Sequence, residues 1–239
     1  MKKIILSAIA ILSLHAASAQ NINNILNQAT TILNGSGANL SNDDVVRGLK
    51  EALSVGTTNS STKASAFNGF YKNPLIKIPF PKEAKVMEDA LRNVGMDKQV
   101  ENFTRTLNRA AEDAAKNAAP IFLNAITSMN IQDGFSILKG GDHAASDYLK
   151  GKTTQDLIAQ FKPSIQASLK KVNILKYWTP LVSKYNKIPM VQKLNPNLDD
   201  YVTQKAIEGL FKLVAEEELK IRKDPAARIS DILKKVFGS

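Results

Sequence analysis

Apolar residues recur at intervals of three and four along most of the chain from Ser41 onwards, and one short proline-rich stretch interrupts them. This spacing places the apolar side chains on one face of an α-helix, and that face must be buried against other helices. The sequence therefore predicts an all-α fold, with about eight or nine helices packed in a single compact domain.

The interrupting stretch covers residues 69–81 and contains Pro74, Pro79 and Pro81. Proline has no backbone N–H to donate, and its φ angle is fixed. Three prolines therefore exclude a helix, and a strand here would have to lie at the edge of a sheet or adopt a polyproline-like conformation. We therefore predict one short extended segment here. Farther along the chain, Pro163 is predicted to break or kink the helix in which it lies.

Capping signals mark the limits of several helices. Ser41 and Asp44 have the spacing of a capping box, which predicts that the first helix begins there. Near the other end, Asp224 and Pro225 fit the N-cap and the first position of a last helix. The other predicted helices cover residues 82–94, 97–117, 120–129 and 131–139, a segment capped by Asp142, a segment from 153, and residues 173–187 and 199–222.

The first nineteen residues have the order of a bacterial secretory signal peptide. Lys2 and Lys3 precede an apolar run over residues 4–14, and small residues follow, ending in Ala17-Ser18-Ala19. The run is too short to cross a membrane, which takes about 20 residues. We predict cleavage before Gln20 and export to the periplasm or the medium. The predicted organisation is a signal peptide (1–19), a short helix with a polar linker (20–40) and a helical domain (41–239).

Charge and cysteine content narrow the classes of chemistry and partner. The chain has no cysteine, which excludes disulfides, a thiolate nucleophile and cysteine-ligated metals. Its formal net charge of +10 becomes +8 without Lys2 and Lys3, so the predicted mature surface is basic. For an exported protein, the partner classes that fit are an envelope component, an anionic lipid surface or another protein, and nucleic acid is disfavoured.

No catalytic signature is present. His143 is the one histidine outside the predicted signal peptide, and no nucleophile-elbow motif accompanies it. We predict no catalytic residue, no metal ligand and no cofactor.

Glu217 is the carboxylate that the helical pattern singles out. At 100° per residue it lies near the centre of the apolar face of helix 199–222, whereas Glu216 points away. A buried carboxylate must be paired, hydrogen-bonded or neutral, so Glu217 is either part of a structural salt bridge or part of a ligand or metal site. Its candidate partners are Arg47, Arg109 and Arg222.

The run from Asn108 to Glu112 carries the other candidates. Arg109 and Glu112 lie opposite the apolar stripe of their helix, as expected of a solvated charge ladder. They would form a site only if this alanine-rich helix were central and covered on all sides. The candidate ligand-binding residues are therefore Glu217, Arg109, Glu112, Asn108 and Arg222.

Aromatic and basic residues interleave between Lys170 and Lys187, around Tyr177, Trp178 and Tyr185. Such a mixture can stack bases or sugars. It is more typical of a half-buried helix with solvated lysines, which is the interpretation that we favour.

Several short stretches of the chain match the pattern of one known family. They are Gly48-Leu49-Lys50-Glu51-Ala52-Leu53, Ile78-Pro79-Phe80-Pro81, Leu107-Asn108-Arg109-Ala110-Ala111-Glu112, Gly209-Leu210-Phe211, Ala215-Glu216-Glu217, and Ile221-Arg222 with Pro225 and Arg228. In these stretches the chain resembles a bacterial family known as domain of unknown function 4197. The resemblance extends from about Ser41 to Gly238, with Gly134 and Ser146 where the family pattern has Ala and Thr. It implies an exported helical domain and brings no assigned activity.

The function that fits best is a non-enzymatic periplasmic or secreted helical module that binds a small ligand, a lipid or a protein partner. One alternative is an enzyme or metal-dependent protein in which Glu217, Glu112 and Arg109 converge in the helical core. Another is a peripheral membrane binder that uses the basic helix beginning at Asp224.

Overall fold

The computed structural model describes residues 41–171, 173–187, 189–190, 193–195 and 197–224. This part of the chain contains eight α-helices and no strand, which confirms the all-α prediction. The predicted signal peptide, the linker 20–40 and the helix predicted from Pro225 lie outside it. The helices are α1 (Asn42–Ser65), α2 (Lys85–Asn93), α3 (Asp97–Ala115), α4 (Ala118–Thr127), α5 (Ile131–Lys139), α6 (Ala144–Lys171), α7 (Ile174–Tyr185) and α8 (Leu198–Lys223).

Local signals set the helix limits in most places. Ser41 and Asp44 form the predicted capping box at the start of α1, and α5 has the predicted limits. A 3₁₀ turn, Lys82–Ala84, precedes α2. Of the break or kink predicted at Pro163, the break does not occur, because α6 is one helix of 28 residues with Pro163 inside it. Leu157, Phe161, Ile165 and Leu169, fully buried on both sides of the proline, hold this helix against the core.

Helix α8 packs against α6, α1 and α3, and its contact with α6 is the most extensive between any two helices in the described residues. Close packing with α3 is possible because the inner face of α3 is made of small side chains. Its four fully buried alanines are Ala110, Ala111, Ala114 and Ala115. No helix in the described ranges is long and apolar enough to cross a membrane.

The proline-rich stretch packs against the helices through its apolar residues. Phe70, Ile76 and Ile78 point into the core and are almost completely buried. The hydroxyl of Tyr201 on α8 donates to the carbonyl of Pro79 at 3.1 Å. Burial, together with nearby acidic groups, raises the pKa of Tyr201 to about 12, so the phenol remains a donor at neutral pH.

Gly209 allows the proline-rich stretch to approach α8 closely. A Cβ atom at this position would lie 2.9 Å from Cε1 of Phe70 and 3.1 Å from Cβ of Ile76. We expect Gly209→Ala to lower the free energy of unfolding by about 1–3 kcal/mol through overpacking, as measured by urea denaturation. Gly151→Ala on α6 is the control. No atom lies within 4 Å of a Cβ placed there, so stability should stay the same or rise by roughly 0.5–1 kcal/mol.

Candidate functional site

Glu112 on α3 binds the turn that follows α1. Its carboxylate accepts the backbone N–H groups of Asn68, Phe70 and Tyr71 at 3.3, 3.1 and 3.2 Å, and it pairs with the guanidinium of Arg109. The turn covers the side of α3 that the sequence predicted to face solvent, so only 5% of the Glu112 side chain is exposed. Arg109 completes the connection by donating to Oδ1 of Asn68 at 2.8 Å.

Asn108 holds the next part of the same stretch. Its side-chain oxygen accepts the backbone N–H of Ile78, and its amide nitrogen donates to the carbonyls of Ile78 and Thr104, all at 2.8 Å. The residue is fully buried. Asn108, Arg109 and Glu112 therefore act together, as three consecutive attachments of the proline-rich stretch to α3.

Glu217 does not occupy the core position that its helical projection predicted. It lies at the edge of α8, where its carboxylate accepts hydrogen bonds from Lys63 at 2.7 Å and Lys220 at 2.9 Å. Its partners are these half-exposed lysines, rather than the three arginines that the sequence suggested. Burial acts to raise the pKa of Glu217, but the two lysine hydrogen bonds outweigh it and hold this pKa below its usual value.

The neighbouring residue, Glu218, holds the buried position. Its carboxylate accepts the backbone N–H groups of Ala145 and Ser146 and the Ser146 hydroxyl, each at 2.9 Å. It therefore caps the N-terminus of α6, where the helix dipole favours negative charge. Arg222 donates to the same carboxylate at 2.9 Å and to the carbonyl of Ile137 at 2.8 Å.

Four of the five candidate residues thus fall into two separate groups, and the fifth, Glu217, belongs to neither. Asn108, Arg109 and Glu112 hold the proline-rich stretch, while Arg222 and Glu218 join α8 to α6 and α5. Their polar atoms bind other parts of the protein, which is what structural salt bridges and caps do. Within the described ranges, no group of three or more histidine or acidic side chains could hold a metal ion.

Three buried side-chain atoms in the described residues have no hydrogen-bond partner: Oε1 of Glu51, Nε1 of Trp178 and Oγ1 of Thr203. Buried polar groups without a partner are rare and call for an explanation. Burial raises the pKa of Glu51, because its ionised carboxylate loses hydration there. Thr203 lies in a groove between α6 and α8. The rim of this groove carries several charged side chains, and some of them pair with each other, as Lys162 does with Asp200 at 2.6 Å.

Trp178 lines an apolar pocket of about 520 Å³ between α2, α3 and α7, which we call the Trp178 pocket. Its indole ring packs against Phe103 and Phe80, with ring centroids 5.4 and 6.0 Å apart. Only 4% of Trp178 is exposed, so solvent cannot satisfy its N–H group. The lining residues are Phe80, Met87, Leu91, Met96, Gln99, Val100, Asn102, Phe103, Thr106, Ile174 and Trp178.

Helix α2 forms one wall of the Trp178 pocket. It contributes Met87 and Leu91, which are half-buried, whereas no residue of α2 is fully buried. Val86 on the same helix is 69% exposed. Methionine side chains adapt their shape easily, so the wall that Met87 and Met96 build can change its outline.

The sequence named Trp178 but did not indicate its role. Its position between lysines favoured a half-buried helix, and the structure does bury the ring. The other walls of the pocket come from residues 70 or more positions earlier in the chain, such as Phe103 and Phe80. The sequence offered one indication that Trp178 is important, namely that it is the only tryptophan in the chain.

Fold and pocket together define the class of protein: a compact all-α domain, tied together by buried carboxylates, with an apolar pocket at one side. The chain belongs to the family described as protein of unknown function (DUF4197), whose model matches residues 39–238. This confirms the resemblance seen in the sequence. No curated protein and no solved structure matches the chain.

Proposed function

We propose that this protein is an exported, non-enzymatic helical module that binds a small, uncharged and largely apolar molecule in the Trp178 pocket. The observation that carries the proposal is the apolar pocket, whose wall includes Trp178 with a buried indole N–H for which the described residues provide no acceptor. Solvent does not reach this N–H, so a small shift of the ring on binding would be needed for a ligand oxygen to accept its hydrogen bond. The pocket volume of about 520 Å³ lies within the usual range for small-molecule sites, about 300–1,000 Å³.

The lining supports an uncharged ligand. Of the described residues, those that line the pocket include no lysine, arginine, aspartate or glutamate. A charged group inside would lose its hydration without gaining an ionic partner, which is costly. The polar residues Gln99, Asn102 and Thr106 are exposed or half-buried along one edge of α3. They suit a weakly polar end of the ligand, while the aromatic rings hold its apolar body.

Binding can be followed through Trp178 because the chain has no other tryptophan. We expect energy transfer from Trp178 to phenylnaphthylamine, a neutral apolar probe, and much weaker transfer to the anionic probe anilinonaphthalene sulfonate. Leu91→Lys places a charge in the pocket wall and should abolish binding of the neutral probe. Val86→Lys is the matched control, since Val86 is on the same helix but does not line the pocket.

The role of the indole N–H is tested with Trp178→Phe and direct excitation of the probes. Prodan, a neutral naphthyl ketone, should bind several-fold more weakly to this variant, since a hydrogen bond contributes roughly 0.5–1.5 kcal/mol. Phenylnaphthylamine lacks the carbonyl and should bind with nearly unchanged affinity. Equal binding of either neutral probe to the parent protein and Leu91→Lys, or preference for the sulfonate, would contradict the proposal.

Export is tested separately, by the intact mass of the protein recovered from the periplasmic fraction. We expect a chain that begins at Gln20, because the basic start, apolar run and Ala17-Ser18-Ala19 follow the order of a cleavable signal peptide. Replacing Ala17 and Ala19 by leucine should block cleavage and leave residues 1–19 attached. A chain that keeps its first residue and stays in the cytoplasm would contradict this part of the proposal.

A further inference from the structure

Aromatic and basic side chains alternate along one exposed surface, formed by α3 and the turn after α1. Arg109 lies over the ring of Phe67 with 3.7 Å between Cζ and the ring centroid. Arg105, one helical turn away, lies 5.3 Å from the ring of Tyr71, and Nζ of Lys77 lies 4.8 Å from the same ring. We call this surface the Tyr71 strip: Lys77, Tyr71, Arg105, Arg109 and Phe67.

The strip exposes a large apolar side chain among cations. Phe67 is 81% exposed, which is exceptional for a phenylalanine. It is held in place from behind, since Asn68, the next residue, is bound by Arg109 and Glu112. The ring therefore projects from a fixed turn, and is not a loose side chain.

The charges of the strip are only partly neutralised within the protein. Glu101 lies 3.9 Å from Lys77, and Glu112 is the partner of Arg109. The hydrogen bonds of Arg105 go to neutral groups, the Asn102 amide oxygen at 3.3 Å and the Tyr71 hydroxyl at 3.4 Å. Arg105 therefore has donors available for phosphate, which guanidinium binds well.

We propose that the Tyr71 strip docks this protein on an anionic lipid surface. Basic side chains attract the headgroups, and an exposed phenyl ring gains free energy by entering the interface. The geometry favours a membrane over single-stranded nucleic acid. Single-stranded nucleic acid stacks successive bases on successive rings. Here Arg105 and Lys77 lie over the ring of Tyr71 and Arg109 lies over one face of Phe67, which leaves the other face of Phe67 for a base. Insertion needs only the exposed edge of Phe67.

The test is co-sedimentation with vesicles at low salt. The parent protein should bind vesicles of phosphatidylglycerol mixed with phosphatidylcholine, and should not bind phosphatidylcholine alone. Arg105→Glu should weaken binding by about tenfold, because each basic residue near an anionic surface adds to the attraction. Phe67→Ser should weaken binding to a similar extent and make the remaining binding more sensitive to salt.

Two variants elsewhere on the surface serve as controls. Lys152→Glu removes an exposed lysine that lies 5.6 Å from the ring of Tyr148, and Ile131→Ser removes an apolar side chain that is 47% exposed. Both should bind anionic vesicles like the parent protein. All variants carry the same chain ends, so the differences report the strip alone, and circular dichroism should show unchanged melting.

Four results would overturn the proposal. These are failure of the parent protein to bind anionic vesicles, equal binding to vesicles of phosphatidylcholine alone, strip variants that bind as well as the controls, and tighter binding of a single-stranded oligonucleotide that Arg105→Glu abolishes. The last result would assign the strip to nucleic acid. Probe binding in the Trp178 pocket is measured without vesicles, so its result does not depend on whether the Tyr71 strip binds lipid.

Discussion

Glu218→Ala is expected to lower the free energy of unfolding by about 3–5 kcal/mol, which is the usual effect of removing one partner of a buried ion pair. The substitution removes the ion pair of Glu218 with Arg222, in which only 4% and 12% of the two side chains are exposed. It also removes the cap from the backbone N–H groups of Ala145 and Ser146 at the start of α6. Urea denaturation measures the loss, and hydrogen exchange should show faster exchange of these two amides.

The adjacent residue provides the control. Glu217→Ala removes a carboxylate whose lysine partners are both 49% exposed, so the loss should be no more than about 1 kcal/mol and should decrease with salt. Because the folded-state pKa of Glu217 is lowered, its contribution is present above the unfolded pKa of about 4.3 and is lost as pH falls further. Equal losses for the two variants at neutral pH would contradict the structural role of Glu218.

Glu112→Ala is expected to have an effect of similar size, about 3–5 kcal/mol, for the same physical reason. It removes the carboxylate partner of Arg109 and the acceptor of three backbone N–H groups of the turn at 68–71. The proline-rich stretch should then detach from α3 at lower denaturant concentration than the bundle unfolds. Limited proteolysis should therefore cleave between residues 66 and 81 first, and denaturation measures the stability.

Asp113→Ala is the matched control for Glu112. Asp113 is 49% exposed and binds Lys116 at 2.8 Å and Ser168 at 3.1 Å. A surface pair of this kind contributes about 0–1 kcal/mol, and its loss should not affect cleavage of the proline-rich stretch. If Glu112→Ala unfolded at the same urea concentration as Asp113→Ala, the attachment by Glu112 would not be important for stability.

The pairs Glu217 and Glu218, and Glu112 and Asp113, show which parts of the candidate site can be predicted from the sequence. The sequence indicates the motif from Asn108 to Glu112 as a candidate site. It also predicts that these residues are buried only if their helix is central and covered. What covers it is a turn more than forty positions away, bound by hydrogen bonds between residues 41 to 44 apart. No pattern within α3 contains that information.

Glu217 is paired, as predicted, but the prediction that it lies in the core beside an arginine was wrong, because it assumed that α8 has a single buried face. Three helices pack against α8. The face that carries Glu218 is therefore buried as deeply as the face that carries the apolar side chains. Gly56 on α1 leaves room beside Glu217, whose Cβ lies 3.5 Å from where a Cβ of Gly56 would be. Its carboxylate thus reaches the lysines at the edge of the bundle.

The sequence by itself determined the helical class, most helix limits and the position of the proline-rich interruption. These depend on apolar periodicity, capping residues and proline, which act over about four neighbouring residues. Only the tertiary structure decided which carboxylate is buried, what Trp178 packs against and which surface exposes Phe67. Each of these depends on residues distant in the chain, such as the 72 positions between Ser146 and Glu218, because burial is set by the helices packed around a side chain.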